Sequence, residues 1–226
     1  MKIIYLIRIL LKLNVFKTIY FNFHYFPFRT AIRLPFFIYK HSKFYCLSGK
    51  IIINAPIKTG MFKFGERKLT IIDSVYDRTI WKHSGTLIIN GSVGIGRGVK
   101  INVDENATLI FGDNFEVTGN TTIVCNKEIR FGSNCLLSWD ILIMDSDQHS
   151  VIDVNNNILN PPEEISIGDN VWIGCRSTIL KGVCIANDNI VAANSTVTKS
   201  FINSNLIIGG HGKNVEVIKS GVQWRL

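Results

Sequence analysis

An all-β coil of stacked, parallel six-residue units is the fold that the sequence predicts, on three observations. A large aliphatic residue recurs at every sixth position from Ile167 through Ile173, Ile179, Ile185 and Val191 to Val197, with no slip of register. Two positions before each of the last five stands Val171, Ser177, Val183, Asn189 or Ser195, all small or medium in size. The cassette of a large apolar residue followed by Gly that opens at Ile167 also opens upstream at Ile95, Phe111 and Phe131. Neither helical periodicity nor simple alternation singles out every sixth residue. A short strand plus a corner does. Three such units of about 18 residues close one triangular turn, and successive turns stack about 4.8 Å apart as parallel strands. The aliphatics then point inward, the residue two before them enters a narrow vertex, and Gly permits a close or positive-φ corner. Asn189 breaks the vertex rule, so its amide needs buried partners.

Residues 50–208 read as this solenoid, with some seven or eight turns. Residues 1–49 form a basic aromatic segment, and 209–226 a tail. The first 50 residues hold nine of the 25 Lys and Arg, no Asp or Glu, eight of the 14 Phe and five of the 6 Tyr. The formal charge of +8 therefore comes from this segment. Arg8 and Lys12 interrupt the first apolar run, and charges recur too often for a spanning helix, which needs about 20 apolar residues. Cations among rings and aliphatic chains suit an anionic membrane surface, contacted through residues 1–45, or packing against the protein itself. No nucleic-acid reader module accompanies the charge, and nucleic acid is not expected as a partner. The five cysteines form no CxxC pair and read as reduced thiols in a cytoplasmic protein.

The repeat breaks at 144–164, a stretch long enough to carry function. It contains Asp145, Asp147 and His149 and ends in Pro161-Pro162. Histidine exchanges protons near neutrality, and a carboxylate on its second nitrogen fixes the tautomer. His149 is the candidate general base, with Asp145 or Asp147 as its orienter; a solvated loop histidine is the alternative on these residues alone. The histidines share no metal-ligand spacing, so no metal is expected. GxSxG, GxxxxGK[ST] and GxGxxG are missing, which removes serine hydrolase, P-loop and dinucleotide readings.

Three stretches resemble the hexapeptide-repeat acyltransferases: SDQHS at 146–150, ISIGDNVWIGCRSTILKGVCIANDNIVAANSTVTKS at 165–200, and VIKSGVQW at 217–224. The likeness is nearest to sugar and surface-polysaccharide O-acetyltransferases. It implies a left-handed coil, acetyl-CoA as co-substrate, a homotrimer with sites between subunits, and a loop histidine, here His149, as general base. It puts Trp172, Cys175, Ala193, Thr198 and Lys199 along the CoA groove, and Asn126 and Trp139 on the side of a sugar or glycan acceptor. Asn126 replaces the family's acidic acceptor ligand, and Gly210-His211-Gly212-Lys213-Asn214 replaces its usual GNPAK. The expected reaction is acetyl transfer to a sugar hydroxyl in capsule or lipopolysaccharide biosynthesis, at the inner face of a membrane. N-acetylation of an amino-sugar nucleotide and a non-catalytic solenoid are the competing classes.

Overall fold

The computed structural model describes residues 11–66, 69–73 and 76–225. Strands pair with the strand one turn later rather than with their chain neighbours: Trp172 faces Ile190, Thr178 faces Thr196, and Ser166 faces Cys184. Among the described residues the strands form three sheets, the faces of a prism. The first face has nine strands, from Phe36–Ile38 to Glu216–Ser220. The second has eight, from Ser42–Cys46 to His211–Gly212, and the third has six, from Lys50–Ile53 to Cys184–Ile185. Within the three sheets the described strands pair in parallel, save where Glu216–Ser220 lies antiparallel to Leu206–Gly209.

The six-residue row is the core. Ile167, Ile173, Ile179, Ile185, Val191 and Val197 are each at most 1% exposed. Val171, Ser177, Val183, Asn189 and Ser195 are buried beside them. Asn189 finds the partners it needs: its Nδ2 donates to Ala186 O at 3.0 Å and Asn203 O at 2.8 Å, and its Oδ1 accepts from Leu206 N at 2.8 Å. Hydrogen-bonded in this way, the buried amide satisfies its own polar atoms and ties the 186–189 corner to the 203–206 stretch at one vertex.

Glycine and the corner divide their work differently from the expectation. Positive φ falls three residues after the aliphatic, on Asn114, Asn134, Asn170, Arg176, Asp188 and Asn194, not on the adjacent glycines. Asn and Asp tolerate the left-handed region because their short polar side chains bond locally. The glycines serve close approach instead: a Cβ on Gly174 would lie 2.6 Å from Ala193 N in the next turn.

The prism also begins and ends beyond the 50–208 limits. Phe36–Ile38 pairs with Phe62–Glu66 and Ser42–Cys46 with Thr79–His83, so the first turn starts inside the basic segment. Leu206–Gly209 and His211–Gly212 add to the first and second faces, which takes the coil to Gly212. The boundary was hidden because the opening turns are filled by rings without the Gly cassette. Phe36, Phe62, Phe64 and Trp81 are almost fully buried there. Helix α1 (Val15–Tyr25), whose Asn14 cap accepts from Lys17 N at 3.0 Å, lies across this end. Its Phe21 meets the rings of Phe36, Phe44 and Trp81 at 5.0–5.4 Å. A four-residue helix α2 (Phe28–Ala31) follows it. Residues 1–10, with Lys2 and Arg8, lie outside the described residues. No described helix is long and apolar enough to cross a membrane.

Candidate active site

The excursion leaves the second face after Leu142–Met144 and rejoins the third at Ile165–Ile167. His149 is exposed on it and lines a cleft of about 210 Å³ with Asn126, Ser146, Asp147, Gln148, Asn160 and the Pro161-Pro162 return. Neither carboxylate orients its ring. Asp145 is fully buried, and its two oxygens accept from Asn126 N at 2.7 Å and Lys127 N at 2.8 Å. It clamps the corner one turn below. Asp147 Oδ2 accepts from Lys181 Nζ at 2.6 Å and Asn160 Nδ2 at 2.8 Å. Those two hydrogen bonds hold its carboxyl below the usual carboxylate range. Among the described residues no hydrogen bond reaches the His149 imidazole, so the chain positions this histidine through its backbone.

That backbone is held by Asn160, which sequence reasoning did not single out. Its Nδ2 serves both Asp147 Oδ2 and, at 2.9 Å, the His149 carbonyl, while its Oδ1 accepts from Val151 N at 2.5 Å. One amide thus ties the residues on both sides of the imidazole, and Lys181 anchors the knot to the prism wall. The pairing of 147 with 160 and 181 spans 13 and 34 residues. A polar residue just before a Pro-Pro return was the available signal.

Asn126 does lie with His149. Its Oδ1 accepts from Ser146 Oγ at 2.8 Å and Gln148 Nε2 at 2.6 Å, and its Nδ2 donates to Asp104 Oδ2 at 2.5 Å. The acidic group missing at 126 is therefore present one turn earlier, as Asp104, itself paired with Lys82 at 3.2 Å. An amide between a carboxylate and two further polar groups presents a hydroxyl-recognising wall.

The residues assigned to the CoA groove separate into three places. Trp139, Cys175 and Ala193 line one cleft of about 450 Å³ with Arg176 and Asn194, at the corner where the first face meets the second. Trp139 is thus beside the groove residues rather than in the His149 cleft. Thr198 and Lys199 are exposed at the opposite corner of the second face, two strands beyond the excursion. Trp172 stands outward on the first face, its Nε1 donating to Ser138 Oγ at 3.1 Å and its ring 6.1 Å from Trp224. Within one chain Trp172 packs with the tail and does not join the cleft. Arg176 is the cation on the lining of this cleft, and Lys199 lies at the far corner from it. Among the described residues no cluster could hold a metal ion, and all five cysteines are free.

Residues 164–199 match the family described as bacterial transferase hexapeptide (six repeats). WbbJ of Escherichia coli K12, assigned as a lipopolysaccharide biosynthesis O-acetyl transferase, is 26% identical over 146 residues, covering 60% of this chain and 74% of that protein. Galactoside O-acetyltransferase of the same organism is 33% identical over 101 residues, covering 44% of this chain and 48% of that protein. The crystal structure of the polySia-specific acetyltransferase NeuO is similar in fold, with a TM-score of 0.50 at 18% identity, over 82% of this chain and 88% of that one. Residues 164–199 carry the hexapeptide repeat of that family, and the prism is a left-handed parallel β-helix similar in fold to the acetyltransferase NeuO. In sequence, the chain is similar to acetyltransferases that act on oxygen.

Proposed function

We propose that the protein transfers an acetyl group from acetyl-CoA to a hydroxyl of a sugar in surface-polysaccharide biosynthesis, as a cytoplasmic homotrimer. The observation that carries this reading is the break in an otherwise regular coil, where a strapped loop presents His149 beside the polar wall of Asn126 and Asp104. The exposed groove at Trp139, Cys175 and Ala193 lies across the second face from that loop. A neighbour's coil against this face would enclose both, which is the argument for a trimer.

Acetyl-CoA supplies the thioester carbonyl. The acceptor oxygen bonds to that carbon while its proton passes to the His149 imidazole; the C–S bond breaks, and the thiolate takes the proton back. A hydroxyl is too weak an acid to ionise beforehand, so proton transfer occurs within the transition state, where a positioned base is worth about 10²- to 10⁴-fold. Asn160 and Lys181 keep the loop from swinging the ring away, which lowers the cost of reaching the productive geometry.

The test is thiol release from acetyl-CoA with a set of cell-surface glycan precursors. Wild type is expected to release thiol and form a base-labile ester, and His149→Ala to lose about 10²-fold or more in kcat/KM with the fold intact. A base-stable amide product overturns transfer to oxygen. No acetyl-CoA binding by calorimetry and no thiol release with any precursor would leave only a scaffold. Light scattering is expected to give three times the 25.5 kDa chain mass.

A further inference from the structure

Helix α1 has an inner face that the prism covers and an outer, apolar face that it does not. Thr18, Phe21 and Asn22 are buried against the first turn. Asn22 locks that face in place, its Nδ2 donating to Thr18 O and Phe36 O at 2.7 and 2.8 Å and its Oδ1 accepting from Phe36 N at 3.0 Å. The helix is therefore not free to roll. Its other face presents Val15, Phe16, Ile19, Tyr20 and Phe23, of which Phe16 is 89% exposed. Residues three and four apart share a helix face, so these side chains are contiguous. The patch continues into α2 through Phe23 and Phe28, whose rings lie 6.0 Å apart, and on to exposed Ile32. A contiguous apolar area of this kind on a soluble surface marks an interaction site.

The charge around the patch selects the partner. Lys12, Arg29, Arg33 and Lys40 are exposed beside it, and the first acidic residue of the chain is Glu66. We propose that the outer face of α1 and α2 docks on an anionic lipid surface, rings and aliphatic chains entering the headgroup boundary and the cations meeting phosphate. A second copy of the same face would set cations against cations with no carboxylate between them. Lipid phosphate supplies the missing counter-charge.

The position of the face fixes the orientation of the molecule. It caps the first turn, whereas the excursion leaves the fifth strand of the second face. Four strand spacings of about 4.8 Å set His149 about 19 Å above the cap. Docking by the cap keeps the second face and its clefts off the lipid. Docking holds whether or not the chain transfers acetyl groups; in the proposed trimer, rotational symmetry brings three caps to one end, and three weak contacts act together.

Co-sedimentation of the full-length protein with phosphatidylcholine vesicles, plain or containing about 40% phosphatidylglycerol, tests this with no enzymatic readout. Binding is expected to be at least about tenfold stronger to the anionic vesicles and to weaken as salt rises from about 0.05 to 0.5 M. Phe16→Ser/Tyr20→Ser/Phe23→Ser should cut binding about tenfold or more through the lost apolar contact, and Arg29→Glu/Arg33→Glu should cut it as far through charge. All five side chains are exposed, so an unchanged urea midpoint checks that the fold survives. No binding to the anionic vesicles, or variants that bind like wild type, overturns the proposal. So does a smaller assembly of the Phe16→Ser/Tyr20→Ser/Phe23→Ser protein in light scattering, which would give the face to a second copy of the chain.

Discussion

The two ends of the prism fill the same cross-section with different material. In the opening turns Phe36 stacks on Phe62 at 4.4 Å, and Phe62, Phe64 and Phe21 pack edge-on to Trp81. The ring column continues through Phe111 to Phe131. In the last turns the filling is Ile and Val at every sixth position, with a left-handed Asn, Asp or Arg at the corners. Rings span gaps of varied width and so tolerate connections of unequal length; aliphatics of one size require turns of one length. Regularity accompanies the outward surface on which the groove residues lie, and irregularity accompanies the helical cap. The proposed docking face thus sits at one end of the coil, and the proposed site begins midway along it.

The sharpest way to break this comparison is to hollow out each end. Trp81→Ala should cost about 3–5 kcal/mol and Ile179→Val about 0.5–1.5 kcal/mol, read as urea midpoints. A Trp81→Ala loss as small as that of Ile179→Val would mean that the ring column collapses around the gap. Acid should find the ring-filled end next. His83 is fully buried in this region, its Nδ1 bonded to Tyr25 OH at 3.1 Å, and burial pushes its pKa down to about 4. Tyr25 is pushed up to about 12, again chiefly by burial. The unfolded chain binds a proton at His83 near pH 6.5 that the folded chain refuses until about pH 4. Stability is therefore lost as pH falls from about 6.5 to 4, by about 3 kcal/mol at most, and it levels off below that window. His83→Phe should flatten the pH dependence of the urea midpoint without flattening that of Ile179→Val.

Smaller effects test the chemical end. Asn160→Ala should lower kcat by about tenfold with the acetyl-CoA KM unchanged, because it frees the loop and touches no cofactor contact. The Asp147–Lys181 pair is complete above the ordinary carboxylate range and is lost as pH falls through the depressed value of Asp147. Lys181→Met should therefore reproduce near neutrality the looser loop that acid produces in wild type, seen as faster amide exchange at 147–151. Smallest of all, Lys199→Ala should raise the acetyl-CoA KM about threefold to tenfold at unchanged kcat, as expected for one exposed charge on a phosphate.

Most of the coil was legible because its grammar is local. Ile167 to Val197 announce themselves by spacing, and the buried Asn189 announces that its amide must be paired. The first turn was not legible, because Phe36–Ile38 and Ser42–Cys46 join the prism through partners 26 to 37 residues later and carry no repeat of their own. His149 stood out as a histidine in the longest break of the repeat. Its supports did not: the nearby carboxylates looked like orienters, whereas Asp145 turns inward to the amides of the preceding turn. Which of two neighbouring acids faces a cleft depends on strand alternation at the exit point, and the last strand ends at Met144. Trp172 entered the groove by resemblance, although its ring turns outward on the first face toward Ser138 and Trp224.

The reversed strand Glu216–Ser220 has a consequence for how the protein behaves in a crowded cell. A stack of like-directed strands ends in a row of bare amides and carbonyls that is a template for one more layer of the same kind. By running the other way along Leu206–Gly209, the tail converts that template into a finished rim. Chains cut short of this segment would expose the Leu206–Gly209 edge, and since α1 covers the opposite end, they should pair cut end to cut end into dimers rather than lengthen into filaments.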